Sequence, residues 1–501
     1  MSTDPDTGDI YSGLDRFGRV KDVRWRDVSA SSDLSRIEYG YDRASNRIWR
    51  ENPSDPNREH DWLYAYDGLN RLQSAQRGQL NGTHTAITSL DSAQCWTLDA
   101  TGNWKEFRQD ENGNGTWDFN QTRTANAVNE ITDISNTPSD IWATPAYDKN
   151  GNTTTNPRPD LGTNATMTAT FDAWNRMTKL VDDSNSNILL ENQYDGRNFR
   201  IVAKEYTSGT LDQTREYYFT EGWQCLEEHV DTTSMPRRHY VWGMRYIDDL
   251  VLRDRDITPS GGLMSERLYY LADANWNTTA VVSDSGTVQE RYEYDPYGDL
   301  SVFAADYTPR SSSNYAVHYT YTSREWTSVV GLFYFRNRWC DAELGSFSSR
   351  DPIGYVDGEN LYSSYMGVSK TDRYGASVEI GIYGNGILEE AVGPGNISLP
   401  SLPGGACGSV EVRSSLRMSG VTIDGPKACH FAVAGINSVV NKISSSIGIR
   451  AGCDCDKVCE ITTSLIVQHQ PSLLLLPMLL DLSSFVPGCK ISFWLTQDSQ
   501  S

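Results

Sequence analysis

The amino-acid sequence predicts an all-β protein built from repeated hairpins, followed by a small cysteine-rich module of different composition. Three observations predict it. Around Arg36–Tyr41 the side chains alternate, with Arg36, Glu38 and Gly40 on one side and Ile37, Tyr39 and Tyr41 on the other, which is the period of a strand. An aromatic–Asp pair returns at near-constant spacing: Asp42 to Asp67 is 25 residues, Asp148 to Asp172 is 24, and Asp172 to Asp195 is 23. A fixed period in this range marks a repeat architecture with one supersecondary element per unit. Finally, only 38% of the 501 residues are hydrophobic, yet there are 14 Trp, 27 Tyr and 13 Phe. That pairing suits a single-layer sheet whose broad rings cover the backbone.

In chain order, the units begin at Leu14-Asp15 and continue at Tyr41-Asp42, Tyr66-Asp67 and Leu98-Asp99. Further units start at Tyr147-Asp148, Phe171-Asp172 and Tyr194-Asp195, and Tyr294-Asp295-Pro296-Tyr297-Gly298 closes the series. Within a unit, Asp42 enters the turn, where its carboxylate accepts backbone N–H groups. Asn46 is expected to take the left-handed conformation, and Arg47-Ile48-Trp49 starts the next strand. Acids and bases recurring in every unit are turn chemistry, because a unique active site is not repeated along a chain. The run Asp110-Glu111-Asn112-Gly113-Asn114-Gly115 matches the first half of a calcium loop. Gln121 stands where that loop needs a bidentate Glu, so the run is read as a Gly-Asn hairpin turn, and no metal site is expected.

The formal charge is −22, which sets the shell against nucleic acid and anionic lipid as partners. No basic and then apolar stretch opens the chain, so no signal peptide is read. The longest apolar run, Leu473–Leu480, is interrupted by Pro477 and falls far short of the ~20 residues of a membrane span.

The most specific block is Gly331 to Gly375. It carries Gly331-Leu332, Arg336, Arg338, Asp341, Gly345, Phe347, Arg350-Asp351-Pro352, Gly354, Asn360-Leu361-Tyr362, Asp372 and Gly375. This pattern resembles the core-associated segment of Rhs and YD-repeat proteins, and the hairpin units resemble their YD repeats. The resemblance covers about residues 10–375. It implies a spiral sheet of YD hairpins forming part of a hollow shell over residues 1–300, a core segment closing the shell over 301–375, and a variable C-terminal tip over 376–501. It further implies that the tip is the shell's cargo, often a toxin, and that the protein is secreted or displayed at the cell surface. Two D-P-x-G motifs flank a self-cleavage site in this family, with aspartyl-peptidase chemistry. Asp351 and Asp372 occupy the matching positions, with Arg350 or Arg338 as electrostatic support.

The chain departs from the family pattern in several places. The first motif, Asp351-Pro352-Ile353-Gly354, is intact, but the second reads Asp372-Arg373-Tyr374-Gly375, and Met366–Lys370 replaces the family's N-P-x-N stretch. The residue after the motif is Ala376, where Leu is common, and Cys340 replaces a Tyr and is read as a small buried apolar residue. Enclosing a cargo of this size requires about 50 strands, whereas 375 residues supply about 31. The expectation is a truncated product, a misplaced start or an open half-shell, with a missing N-terminal shell portion or a secretion apparatus as partner.

Residues 376–501 hold six of the nine cysteines (Cys407, Cys429, Cys453, Cys455, Cys459 and Cys489), five aromatics, seven basic and ten acidic residues. The cysteines suit disulfides in an exported chain; zinc held by Cys453, Cys455 and Cys459, with His430 after Cys429, is the alternative. Val433, Ile436, Val439, Val440 and Ile443 have helical spacing within Phe431–Ile449. No nuclease, deaminase or phosphate-loop signature is present, and no cofactor is expected. Two function classes follow: a shell for toxin delivery or intercellular competition, whose enzymology is at most a single self-cleavage, or a non-cleaving surface protein that binds glycans through its aromatic hairpins.

Overall fold

The computed structural model describes residues 13–137, 141–231, 235–258, 264–356, 358–364, 370–372 and 374–375, and beyond these the backbone of short strands. The chain forms two compact units, Met1–Leu388 and Glu389–Ser501. The first is all-β. Nine antiparallel strands from Asp22–Asp27 to Ile131–Thr137 pair in strict chain order, and fifteen from Ala146–Tyr147 to Pro309–Arg310 do the same in a second sheet. Within these two sheets no strand leaves the order, so every ladder joins chain neighbours.

The repeat signature explains how hairpins are joined. In the unit at Asp67, the carboxylate Oδ1 accepts the amides of Leu69 and Arg71, both at 2.9 Å. Arg71 Nε returns to Asp67 Oδ2 at 2.7 Å. The Asp67 amide donates to the Arg71 carbonyl at 2.9 Å, and the Asn70 amide donates to the Asp67 carbonyl at 3.0 Å. Three residues after the acid the backbone is left-handed: Gly18, Ser45, Asn70, Gly102, Gly151, Asn175, Asn198 and Gly298 all have positive φ. This corrects the expectation for Asn46. Ser45 takes the left-handed position (φ 67°), while Asn46 Nδ2 bonds Asp42 Oδ2 at 2.8 Å. The hydrogen-bond cage fixes the position after the acid at which the chain reverses, and it overrides the lower strain of Asn.

The flanking residues tie consecutive units together. The Tyr66 hydroxyl donates to the Arg47 carbonyl at 2.7 Å, Tyr194 to Met177 at 2.8 Å and Tyr294 to Thr278 at 2.8 Å, each reaching one unit back. Arg19 Nη1 reaches forward to the Asp42 carbonyl, and Arg176 Nη1 to the Asp195 carbonyl. The Asp110 carboxylate likewise accepts the amides of Asn114 (3.2 Å) and Gly115 (2.8 Å) in the turn between Trp104–Asp110 and Phe119–Ala125.

Residues 315–362 pack across one face of both sheets. They carry a four-stranded sheet, Glu325–Thr327, Leu332–Phe335, Arg338–Asp341 and Ser346–Phe347. The principal apolar core lies between this segment and the second sheet; Leu332, Tyr334 and Trp339 meet Met167, Leu180, Leu190, Ala203 and Tyr217. Below it is a buried ionic row. Glu325 Oε1 accepts Arg215 Nη1 and the Tyr217 hydroxyl, both at 2.8 Å, and Oε2 accepts Arg200 Nη2. Cys340 is buried among Phe333, Phe335 and Phe347, as its apolar reading expects.

In the second unit, six strands pair in the order Val410–Ser414, Ile447–Gly452, Glu460–Ser464, Val421–Asp424, Lys490–Phe493 and Leu479–Asp481. Residues 431–446 of the expected helix lie outside the described residues, and its last three residues belong to the strand Ile447–Gly452. All six C-terminal cysteines lie outside the described residues. No described helix is long and apolar enough to cross a membrane.

Candidate functional site

The hairpin Leu332–Phe335 to Arg338–Asp341 turns through Arg336 and Asn337, with Arg336 left-handed (φ 65°). The next residue, Arg338, is 3% exposed and lies flat against Phe347, 3.7 Å from the ring centroid. Arg338 organises the seam. Its Nη2 lies 2.9 Å from Asp351 Oδ2 and 3.3 Å from Asp372 Oδ2. Nη1 reaches the Leu361 carbonyl at 3.4 Å, and Nε donates to the carbonyl oxygen of Gly375.

Each carboxylate is fixed by its own turn. Asp351 donates its amide to the Leu361 carbonyl at 2.9 Å, and its Oδ1 accepts the Ile353 amide at 2.9 Å. The Asp372 Oδ1 accepts the Tyr374 amide at 3.1 Å. Strands Lys370–Asp372 and Val378–Ile380 pair antiparallel, so Gly375 lies in their connection. Three anchors hold that connection. Arg324 Nη2 bonds the Asp372 carbonyl at 3.0 Å, Asn337 Nδ2 bonds the Tyr374 carbonyl at 2.8 Å, and Arg338 takes Gly375. Gly375 is left-handed (φ 64°), and a Cβ there would lie 2.3 Å from the Phe335 carbonyl oxygen, so only glycine fits.

Arg324 is itself clamped by Asp248, with both Nη atoms 2.7 Å from its two carboxylate oxygens. Arg336 Nη2 joins the same carboxylate at 2.6 Å. Burial, and then the neighbouring Arg324, hold the Arg336 guanidinium below its usual value.

The structure thus brings together three of the four expected site residues: Asp351, Asp372 and Arg338. Arg350 is elsewhere. Its Nη2 pairs with Glu130 at 2.5 Å, and its side chain closes over Gly151, whose missing Cβ would meet Arg350 Nε at 2.1 Å. Sequence reasoning missed Arg324, Asn337 and Asp248. Asp248 lies 76 residues before Arg324, and no local spacing connects them.

No family model matches the chain. Among curated proteins it resembles the tRNA3(Ser)-specific nuclease WapA of Bacillus spizizenii, 23% identical over 305 residues. It also resembles the tRNA nuclease WapA of Bacillus subtilis, 22% identical over 300 residues. Each match covers 59% of this chain and 11% of the relative, so the chain spans about a tenth of their length. Among solved structures it resembles the Photorhabdus luminescens Tc holotoxin pore containing TccC3, with a TM-score of 0.55 and 17% identity over 73% of this chain and 18% of that one. The TcdB2-TccC3 crystal structure matches with a TM-score of 0.52 and 18% identity over 72% of this chain and 18% of that one.

The chain has the fold of the Rhs/YD-repeat shells. Its YD pairs are the joints between hairpins, with the Tyr hydroxyl directed backward and the Asp caging its own turn. The clamp on Gly375 stands at the end of the core-associated block Gly331–Gly375.

Proposed function

We propose that this protein is a toxin-type Rhs/YD shell chain, with repeats over 1–300, a core segment over 301–375 and a variable tip over 376–501 that is its cargo. The shell cuts its own chain once, between Gly375 and Ala376, leaving the tip as a separate polypeptide for delivery. Export to the medium or the cell surface, together with a further shell portion or a secretion apparatus as partner, belongs to the same reading.

The observation that carries it is the bond from Arg338 Nε to the Gly375 carbonyl, made by the guanidinium that also holds Asp351 and Asp372. In this chemistry one carboxylate acts as base and the other as acid, with Arg338 beside both. The ionised carboxylate takes a proton from water, and the hydroxide adds to the Gly375 carbonyl carbon. The negative charge forms on the oxygen that Arg338 already binds. Collapse breaks the Gly375–Ala376 bond, the protonated carboxyl supplies the amine's proton, and the new carboxylate remains on Gly375.

Intact mass of the full chain under denaturing conditions tests this, beside Asp351→Asn and Asp372→Asn. A fragment of about a quarter of the 56.1 kDa chain, beginning at Ala376 and present only in the unaltered protein, is expected. A single full-length mass in all three samples would refute cleavage and leave a shell with a fixed C-terminal module.

A further inference from the structure

Among the buried guanidinium groups of the first unit, Arg123 has no carboxylate in contact. It sits on strand Phe119–Ala125, is 6% exposed, and lies 4.4 Å above the Trp104 ring. Nε donates to Gln121 Oε1 at 2.5 Å, and Nη1 donates to the Leu344 carbonyl at 2.7 Å. Nη2 has no hydrogen-bond partner. The nearby acids are engaged elsewhere: Glu130 with Arg350, and Asp341 Oδ1 with the Leu344 amide. Burial pushes the Arg123 guanidinium down to about 9. A guanidinium stays charged in a protein, and this one has no carboxylate in contact; Asp341 acts on it only through space. Leaving such a charge unpaired is among the most destabilising arrangements a fold can hold.

Arg123 lines a cavity of about 30 Å³ between the first sheet and the core segment. Its other walls include Trp104, Asn103, Tyr147, Ser346 and Ser363. A cavity this size admits one or two water-sized groups and excludes anything larger. Trp104 is pressed against Gly345, where a Cβ would lie 2.3 Å from the ring, so the wall does not yield easily. Gln121, the acceptor for Arg123 Nε, leaves its own Nε2 without an acceptor. The region is therefore rich in donors, positively charged and closed to bulky groups.

We propose that this pocket binds a small monoanion, of chloride or formate size, against Arg123 Nη2. The anion supplies the acceptor that Nη2 lacks, with a negative charge in direct contact, and it locks the first sheet to the core segment at Leu344–Ser346. The site is independent of the seam chemistry, since Arg123 touches neither Asp351 nor Asp372.

The test is thermal unfolding of the full-length protein in sodium chloride or sodium formate, exchanged at constant ionic strength against sodium gluconate, whose anion is too large for the pocket. A saturating rise in Tm of about 2–4 °C is expected with the small anions and not with gluconate. Arg123→Met keeps the apolar stem over Trp104 and removes the charge; it is expected to lose the anion response. Equal responses to chloride and gluconate, or an unchanged chloride response in Arg123→Met, would overturn the site. If that variant fails to fold, crystals of the unaltered protein soaked in bromide decide. An anomalous peak in contact with Arg123 Nη2 supports the site, and an empty pocket refutes it.

Discussion

Arg338 and Gly375 are joined side chain to main chain, with Nε of the first donating to the carbonyl oxygen of the second. The same guanidinium separates two buried carboxylates, so its removal has a structural effect and a chemical one. Arg338→Met leaves Asp351 and Asp372 facing each other without a cation and is expected to cost about 3–5 kcal/mol in a urea titration. Arg338→Lys restores the charge but not the three-directional fork, and is expected to recover most of that stability. On the cleavage reading it slows fragment formation by roughly 100-fold or more, because the carbonyl donor is lost. A time course of intact mass separates the two effects; a Lys variant that cleaves at the normal rate would remove Arg338 from the chemistry.

The joint between hairpins makes a second, purely structural prediction. Tyr66→Phe removes one hydroxyl bond to the Arg47 carbonyl and should cost about 1 kcal/mol. Asp67→Ala removes an acceptor that serves the Leu69 amide, the Arg71 amide and Arg71 Nε, and should cost clearly more, about 2–3 kcal/mol. Hydrogen exchange should show the loss concentrated in strands Arg47–Glu51, Asp61–Tyr66 and Leu72–Leu80, since the ladder bonds joining them are with nearest neighbours. Uniform loss of protection out to Tyr294 would contradict this locality.

What could be read from the sequence follows the range of each interaction. The caging of turn amides by Asp42, Asp67 or Asp172 spans four residues, and residue type plus spacing revealed it. The left-handed position was misplaced at Asn46 because side-chain preference was weighed without the hydrogen bond that fixes Ser45. Asp351 and Asp372 were visible through a motif, and both lie against Arg338. The choice between Arg338 and Arg350 was not visible. Both lie in the same block, and only the packing of Arg350 against Glu130 and Gly151 separates them. Asn337, Arg324 and Asp248 act across 37, 48 and 76 residues, distances over which sequence patterning carries no signal.

Glu325 is the hub of the buried ionic row, and its neutral isostere tests how much the row depends on charge. In Glu325→Gln, Arg200 and Arg215 keep their positions but lose the shared carboxylate, which should cost about 3–5 kcal/mol. Adding Arg200→Met removes one of the stranded cations. The double variant should therefore be less destabilised than the sum of the singles, by about 0.5–3 kcal/mol in a double-mutant cycle. Additivity would mean that Arg215 and the Tyr217 hydroxyl, not Arg200, carry the interaction.

Asp341 gives the fold a pH dependence of defined sign. Burial pushes its carboxyl up to about 6, against the opposing pull of the Leu344 amide and of Arg158 and Arg123. Between the ordinary carboxyl value near 3.8 and about 6, the folded chain therefore holds a proton that the unfolded chain has released. In that window the unfolded state binds fewer protons, so this group's contribution to stability falls as pH rises, then levels off above about 6. Asp341→Asn keeps an oxygen that can accept the Leu344 amide, which Asp341 Oδ1 now accepts at 2.8 Å, and removes the titration. Denaturant midpoints measured at pH 4.5 and pH 7 should draw closer together in the variant, and the gain should appear at the higher pH. If the variant instead loses stability equally at both values, Asp341 is ionised throughout and its charge is compensated by Arg158 and Arg123.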